Sequence, residues 1–193
     1  MRVIGVDLSL SATGLAAIDN TAGAVAVDTR VIKTKPDDGT LQDRHRRLEA
    51  IASGVIAFAK EADLVVIESP SYSSGGRGTW DRAGLWWWVV SVLVLVGRPI
   101  VEIAPKTRAK WATDNGNAGK NAVSVAIGRL WPDVELRDDN ESDALVLATI
   151  GAQFLRISVP VKSWHSEALK KVVWPGENGG EVQGRLRDMR SMQ

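Results

Sequence analysis

Cysteine is absent from the 193-residue chain. That excludes disulfide bonds, thiolate zinc sites and a cysteine nucleophile. Histidine is nearly absent: His45 and His165 are the only two, too few for a histidine-rich metal site. His45 reads as a surface residue, because the pattern places no acid partner beside it. Net charge is almost missing, with 24 basic against 23 acidic residues giving +1. A polyanionic partner therefore needs a local basic patch rather than a global field. A membrane-length apolar run is missing too. Leu85 to Val96 is the segment that invites such a reading, but Arg82 and Arg98 bracket it. It falls well short of the roughly 20 residues that span a bilayer, and reads as a buried helix. No basic-then-apolar leader opens the chain. The expectation is a cytoplasmic protein without a membrane partner (host-cell cytoplasm if phage-encoded).

What is present is an ordinary globular composition, 45% hydrophobic and 24% charged, enough chain for one compact domain with a real core. Residues 2–8 read as a buried strand, and 13–19 and 23–33 as two more joined by a hairpin around Asn20-Thr21-Ala22-Gly23. Apolar residues at Leu48, Ile51, Ala52, Val55, Ile56 and Ala59 give residues 41–61 a helical period. Strands follow at 63–68 and 100–104, with a Ser/Gly-rich loop at 70–78 and a helix at 80–97 between them. Residues 105–111 read as a helical turn, 113–119 as a polar loop, and 120–130 and 140–155 as helices. From Pro160 the pattern dissolves. The domain reading is residues 1–158 as one unit and 159–193 as a flexible or loosely docked C-terminal extension. Antiparallel strands first and crossovers later predict a mixed α/β layered fold with a five-stranded sheet flanked by helices.

Three acids stand out. Asp7 ends the apolar run Val3-Ile4-Gly5-Val6, Glu68 ends Leu64-Val65-Val66-Ile67, and Asp143 opens the apolar stretch Ala144-Leu145-Val146-Leu147-Ala148. A carboxylate at the tip of a buried strand is costly to desolvate unless a cation or donor meets it. Two strand tips and a helix start can converge on one point, and a divalent metal is the usual relief for the repulsion there. Each has a plainer reading: Asp7 as a cap for the Leu8-Ser9 turn, Glu68 as a strand-end acid, Asp143 as an acid answering the helix dipole. Asp138 and Glu141 read as a solvated helix start.

The ordered set Gly5-Val6-Asp7-Leu8-Ser9 with Thr13-Gly14, Val66-Ile67-Glu68, Ala104-Pro105-Lys106 through Gly119-Lys120, and Ser142-Asp143-Ala144-Leu145 resembles the RuvC-type Holliday junction resolvases, within the ribonuclease H-like nuclease fold. Phage versions are the most similar in style. The resemblance spans residues 1 to about 155. It implies a homodimer that grips a four-way DNA junction. Each subunit would nick one strand by metal-dependent phosphodiester hydrolysis, leaving a 5′-phosphate. It implies metal ligation by Asp7, Glu68 and Asp143. The family's fourth ligand position falls on Asn140, and Asp139 lies one residue further back. Both offsets share a helical face with Asp143, so either can supply the oxygen. The resemblance also implies a catalytic Lys120. A second family lysine falls on or beside Ala109, with Lys110 as its stand-in.

Two metals roughly 3.5–4 Å apart can activate a water and stabilise a leaving oxygen. Hard oxygen ligands suit Mg²⁺ or Mn²⁺, expected as two per site, rather than zinc. Lys106, Arg108, Lys110 and Lys120 form a basic stretch suited to phosphate contacts. Arg77 and Arg82, beside the Ser/Gly-rich loop, are further DNA-contact candidates. Arg44, Arg46 and Arg47 read as a solvated face. Trp86-Trp87-Trp88 face different directions on a helix, so core and dimer interface is the better reading than a base-stacking platform. Three other functions remain open. Asn140 can mark a decayed metal site in a non-catalytic branched-DNA binder. Asp7-Leu8-Ser9-Leu10-Ser11 with Thr13-Gly14 also looks like the first phosphate loop of sugar-kinase and actin-like phosphotransferases, whose second domain a chain this short cannot hold. Within the nuclease class, forks or flaps are alternative substrates.

Overall fold

The computed structural model describes residues 1–35, 39–70 and 77–176. The elements in chain order are β1 (Arg2–Asp7), β2 (Ala12–Thr21), β3 (Ala24–Lys33), α1 (Leu41–Phe58), β4 (Leu64–Glu68), α2 (Arg77–Leu95), β5 (Ile100–Ile103), α3 (Pro105–Thr113), α4 (Lys120–Leu130), α5 (Asp139–Phe154) and α6 (His165–Leu169). The strands form one sheet in the order β3-β2-β1-β4-β5. β1 to β3 pair antiparallel, while β1, β4 and β5 pair parallel. This is the mixed five-stranded sheet flanked by helices that the sequence led us to expect.

Both faces of the central strands are covered, which is why β1 and β4 read as unbroken apolar runs rather than alternating ones. Val3, Leu64, Val66, Ala16 and Ile18 face one core, shared with α3, α4 and α5. Ile4, Val6, Leu15, Val65 and Ile67 face the other, shared with α1 and α2. Each buried Val, Leu or Ile contributes about 1.5–3 kcal/mol, so the two cores together hold the layers. α5 lies against β1, β2 and β4, with residues 141–152 all buried. It carries no amphipathic pattern because it is enclosed on every side.

Local signals set the helix ends. Thr40 caps α1 in a reciprocal box with Asp43. Pro105 opens α3, and Asp114 closes it in a left-handed conformation at φ 61°. The expected helical turn at 105–111 is thus a full helix through Thr113. Asp138 caps α5 by accepting from the Asn140 and Glu141 amides. Residues 160–176, where sequence periodicity fades, pack on α3 and α5. The Trp164 indole donates to the Trp111 carbonyl at 2.9 Å. His165 stacks on Trp111 at 3.9 Å, and Trp174 on Phe154 at 4.1 Å. The rest of the expected extension, residues 177–193, lies outside the described residues, as do residues 71–76 of the expected loop. Among the described residues no helix is long and apolar enough to cross a membrane.

Candidate active site

Strand parity places the first two acids. Residues 3, 5 and 7 of β1 and 64, 66 and 68 of β4 share the face turned toward α5, since side chains alternate along a strand. The parallel register pairs Val6 with Ile67, so Asp7 and Glu68 lie level on neighbouring strands. The turn after Asp7 is closed by others: the Ser9 amide donates to Thr13 Oγ1 at 3.1 Å, and the Thr13 hydroxyl donates back to the Ser9 carbonyl at 2.7 Å. Asp7 is therefore not that turn's cap. The Trp86 indole donates to the Glu68 carbonyl at 3.0 Å and steadies the tip of β4.

The third acid arrives on α5, which two glycines let approach. A Cβ on Gly5 would sit 2.0 Å from the Ala144 carbonyl oxygen, and one on Gly14 would sit 2.1 Å from that of Asn140. Backbone-to-backbone contact at both points seats the start of α5 over β1 and β2. Asp143 is 2% exposed there. Glu141 departs from expectation. It is 1% exposed, and its Oε2 accepts from the Arg137 amide at 2.7 Å.

Arg108 joins the acids. Its Nε donates to Glu68 and its Nη1 donates to Asp143. At 8% exposure it lies beneath the surface stretch in which the sequence reading placed it. Consecutive helical residues turn by about 100°, so Lys106 and Lys110 share one face of α3 and Arg108 points nearly opposite. Lys106 is exposed and Lys110 half-buried. The α3 cation brought to the acids is thus Arg108, not Lys110, the stand-in expected from the sequence. Within α3, Arg108 shares its helical face with the buried Trp111, three residues on.

The electrostatics follow from burial. Desolvation pushes Glu68 up to about 7, against the attraction of Arg108 and with the repulsion of Asp7 added. It pushes Asp143 up to about 6 in the same way. Asp7 is raised as well, by desolvation first, with Arg108 and Lys120 opposing. At the rim, the Lys120 ammonium donates to Asp139 at 2.5 Å and holds that carboxyl below its usual range. Asp139 is electrostatically coupled to Asp7 and Asp143, so Asp7, Glu68, Asp143, Asp139 and Lys120 share one field. The Asn140 backbone abuts Gly14. Arg82 lines a cleft of about 130 Å³ together with Asp7, Ser9, Glu68 and Trp86. The side chain of Arg77 lies outside the described residues. A roomier cavity of about 590 Å³, lined by Trp111, Arg129, Lys162 and Trp164, contains none of these acids. Of the arginines expected on a solvated face, Arg44 pairs with Asp81, and Arg47 donates to the Leu10 carbonyl.

Among the described residues no three acids or histidines stand close enough to form a ready-made metal cluster. The Arg108 guanidinium instead bonds one oxygen of Glu68 and one of Asp143. The donor set itself fits a hard divalent ion: three carboxylates, Asp143 buried and Asp7 and Glu68 half-buried, around one guanidinium.

No family model matches the chain. The crossover junction endodeoxyribonuclease RuvC of Nocardioides sp. is 31% identical to it over 156 residues, covering 77% of this chain and 84% of that protein. The chain belongs to the RuvC family. RuvC of Frankia alni is 30% identical over 155 residues, covering 77% of this chain and 76% of that protein. The RuvC structure from Thermus thermophilus superposes with a TM-score of 0.64 at 19% identity, over 83% of this chain and all of that one. It shows the shared ribonuclease H-like fold.

Proposed function

We propose that this RuvC-family chain resolves four-way DNA junctions by metal-dependent hydrolysis of phosphodiester bonds, leaving 5′-phosphate ends. The observation that carries the reading is that β1, β4 and α5 bring Asp7, Glu68 and Asp143 into one electrostatic neighbourhood around Arg108. Asp7, Glu68 and Asp143 would hold the divalent ions, Mg²⁺ or Mn²⁺, expected as two per site. Divalent ions there supply Lewis-acid polarisation of the phosphate and a more acidic attacking water. Asp139 is the better fourth ligand than Asn140, because it is charged and already coupled to Asp7 and Asp143. Lys120 orients Asp139 and stabilises charge developing on the phosphate. Lys106, Lys110 and Lys120 supply donors for the DNA backbone, with Arg82 in the cleft beside Asp7 and Arg77 at the start of α2. Residues 1–158 form the nuclease unit, on which 159–176 dock.

A purified-protein assay with a four-way junction, a flap and plain duplex, with and without Mg²⁺, tests this. The junction is expected to be cut, only with metal. The rate is expected to rise as pH climbs through about 6 and about 7, the values to which Asp143 and Glu68 are pushed, because protons compete with metal for those oxygens. Stability of the metal-free protein runs the other way. Carboxyls raised in the folded state contribute fully below their unfolded values and lose that contribution as pH rises through the folded ones. Metal-independent cutting, or none on any substrate, would refute the reading.

The homodimer is assigned to α2. Trp80, Gly84, Trp87, Ser91 and Val94 recur at helical spacing and are all exposed, opposite the buried Leu85, Val89 and Leu93. Large side chains alternate with small ones, so two copies of the stripe can interdigitate. Trp87→Glu is expected to weaken self-association by about 2 kcal/mol or more, the effect of losing a central Trp anchor. Sedimentation equilibrium measures it, and an unchanged dimer removes α2 from the interface.

A further inference from the structure

We propose that Arg108 and a divalent ion are alternative occupants of the same carboxylate cradle, so that metal enters only as the guanidinium leaves. The inference rests on the metal-centre reading above and deepens it. It starts from an oxygen inventory. Glu68 Oε2 accepts from Arg108 Nε, and Asp143 Oδ1 accepts from Nη1. The two acids lie on different elements, β4 and α5, and one planar fork spans them. Each carboxylate keeps a second oxygen, Oε1 of Glu68 and Oδ2 of Asp143, but a divalent ion drawn between the two acids would enter the gap that the guanidinium now spans. Two cations in one gap repel each other, so the ion is favoured there only once the guanidinium has moved.

Among the described residues Arg108 is the cation that bonds to both Glu68 and Asp143. Arg108 is 8% exposed, and it is the first attractive charge acting on each of Asp7, Glu68 and Asp143. Lys120 is the other cation acting on Asp7 and Asp143, and it is tied to Asp139 at the rim at 2.5 Å. One guanidinium therefore spans two of the three carboxylates, with Asp143 buried and Asp7 and Glu68 half-buried. That arrangement keeps the metal-free centre folded, yet leaves it with excess negative charge that favours a divalent ion over a monovalent one. Arginine cannot make room by losing its proton, so the exchange has to be a movement of the side chain. Lysine would not serve equally, because a point charge cannot span two carboxylates as a fork does. Once released, the guanidinium is a strong phosphate donor.

The test measures metal binding rather than cutting. Wild-type protein, Arg108→Gln, Arg108→Lys and Asp7→Asn are titrated with Mn²⁺ in the absence of DNA, and free Mn²⁺ is followed by electron paramagnetic resonance. Removing the competing cation is expected to tighten Mn²⁺ binding by about tenfold or more in Arg108→Gln, the scale of one close charge interaction in a partly buried site. Arg108→Lys is expected to fall between. Arg108→Gln binding Mn²⁺ no more tightly than wild type overturns the exchange. A second readout uses the wild-type protein, in case the Gln variant is unstable. The Arg108 Nε–H resonance is expected to shift as Mg²⁺ saturates the site, and a resonance unmoved at saturation also overturns the proposal. Asp7→Asn separates the two levels. If it binds Mn²⁺ as well as wild type does, the metal-centre reading fails. If it loses binding while Arg108→Gln gains nothing, the exchange alone fails.

Discussion

Asp7→Asn is expected to abolish junction cutting and leave junction binding intact. The amide keeps the shape of the carboxyl but removes the charge with which Asp7 would hold metal. Several kcal/mol of transition-state stabilisation would go with it, a loss of about a thousandfold or more in single-turnover rate. Binding relies on the basic residues around the cleft, so a mobility-shift titration should be unchanged. Burial already pushes the Asp7 carboxyl up, and its charge raises both Glu68 and Asp143. Removing that charge should therefore leave the melting temperature of the metal-free protein equal or higher. Lost cutting with undiminished stability identifies a chemical role. A variant that cuts at a rate within about tenfold of wild type, only ~1.4 kcal/mol away, would end the assignment.

Gly5→Ala is expected to be the most damaging single methyl group. Its Cβ would lie 2.0 Å from the Ala144 carbonyl oxygen and 2.5 Å from the Ala148 amide nitrogen. Both are backbone atoms of a helix buried from 141 to 152, so nothing soft can give way. Overpacking in cores costs about 1–3 kcal/mol when side chains can adjust. Here α5 must lift from the sheet, and about 3 kcal/mol or more is expected, read from denaturant unfolding. The surviving folded fraction should also cut poorly, because lifting α5 moves Asp143 away from Asp7 and Glu68. Gly128→Ala is the control. It adds the same methyl in the last turn of α4 with nothing within 4 Å, and should stabilise by about 0.5–1 kcal/mol. Equal effects at the two positions would refute the close-approach account.

Much of the fold was legible because its elements carry local signals. The two apolar runs ending in acids, the Ala22-Gly23 turn with both φ angles positive and the Thr40 cap are all written within a few residues. α4 falls on residues 120–130 as read, whereas α1 stops at Phe58, short of the expected 61, and α2 begins at Arg77 rather than 80. Such ends depend on which neighbour meets the last turn. α6 was not foreseen, since its five residues are held by Trp164 and His165 packing on distant Trp111 rather than by any periodicity of their own.

The site divides along the same line. Asp7, Glu68 and Asp143 could be singled out from the chain alone, because charge at the end of an apolar run is costly wherever the run is buried. Arg108 could not be told from Lys106 and Lys110 by composition. All three are cations on one short helix, and which one turns inward depends on how α3 sits on the sheet. Glu141 likewise looks solvent-facing in sequence but is enclosed by α5's surroundings. For this protein, residue order determined the strands, the helices and the acids at their tips, since backbone preference and burial period act over a few residues. Only the tertiary structure decided that α5 descends onto Gly5 and Gly14, and that a guanidinium is shared between Glu68 and Asp143. Those contacts join residues 35 and more positions apart, where no local rule reaches and packing alone sets who meets whom.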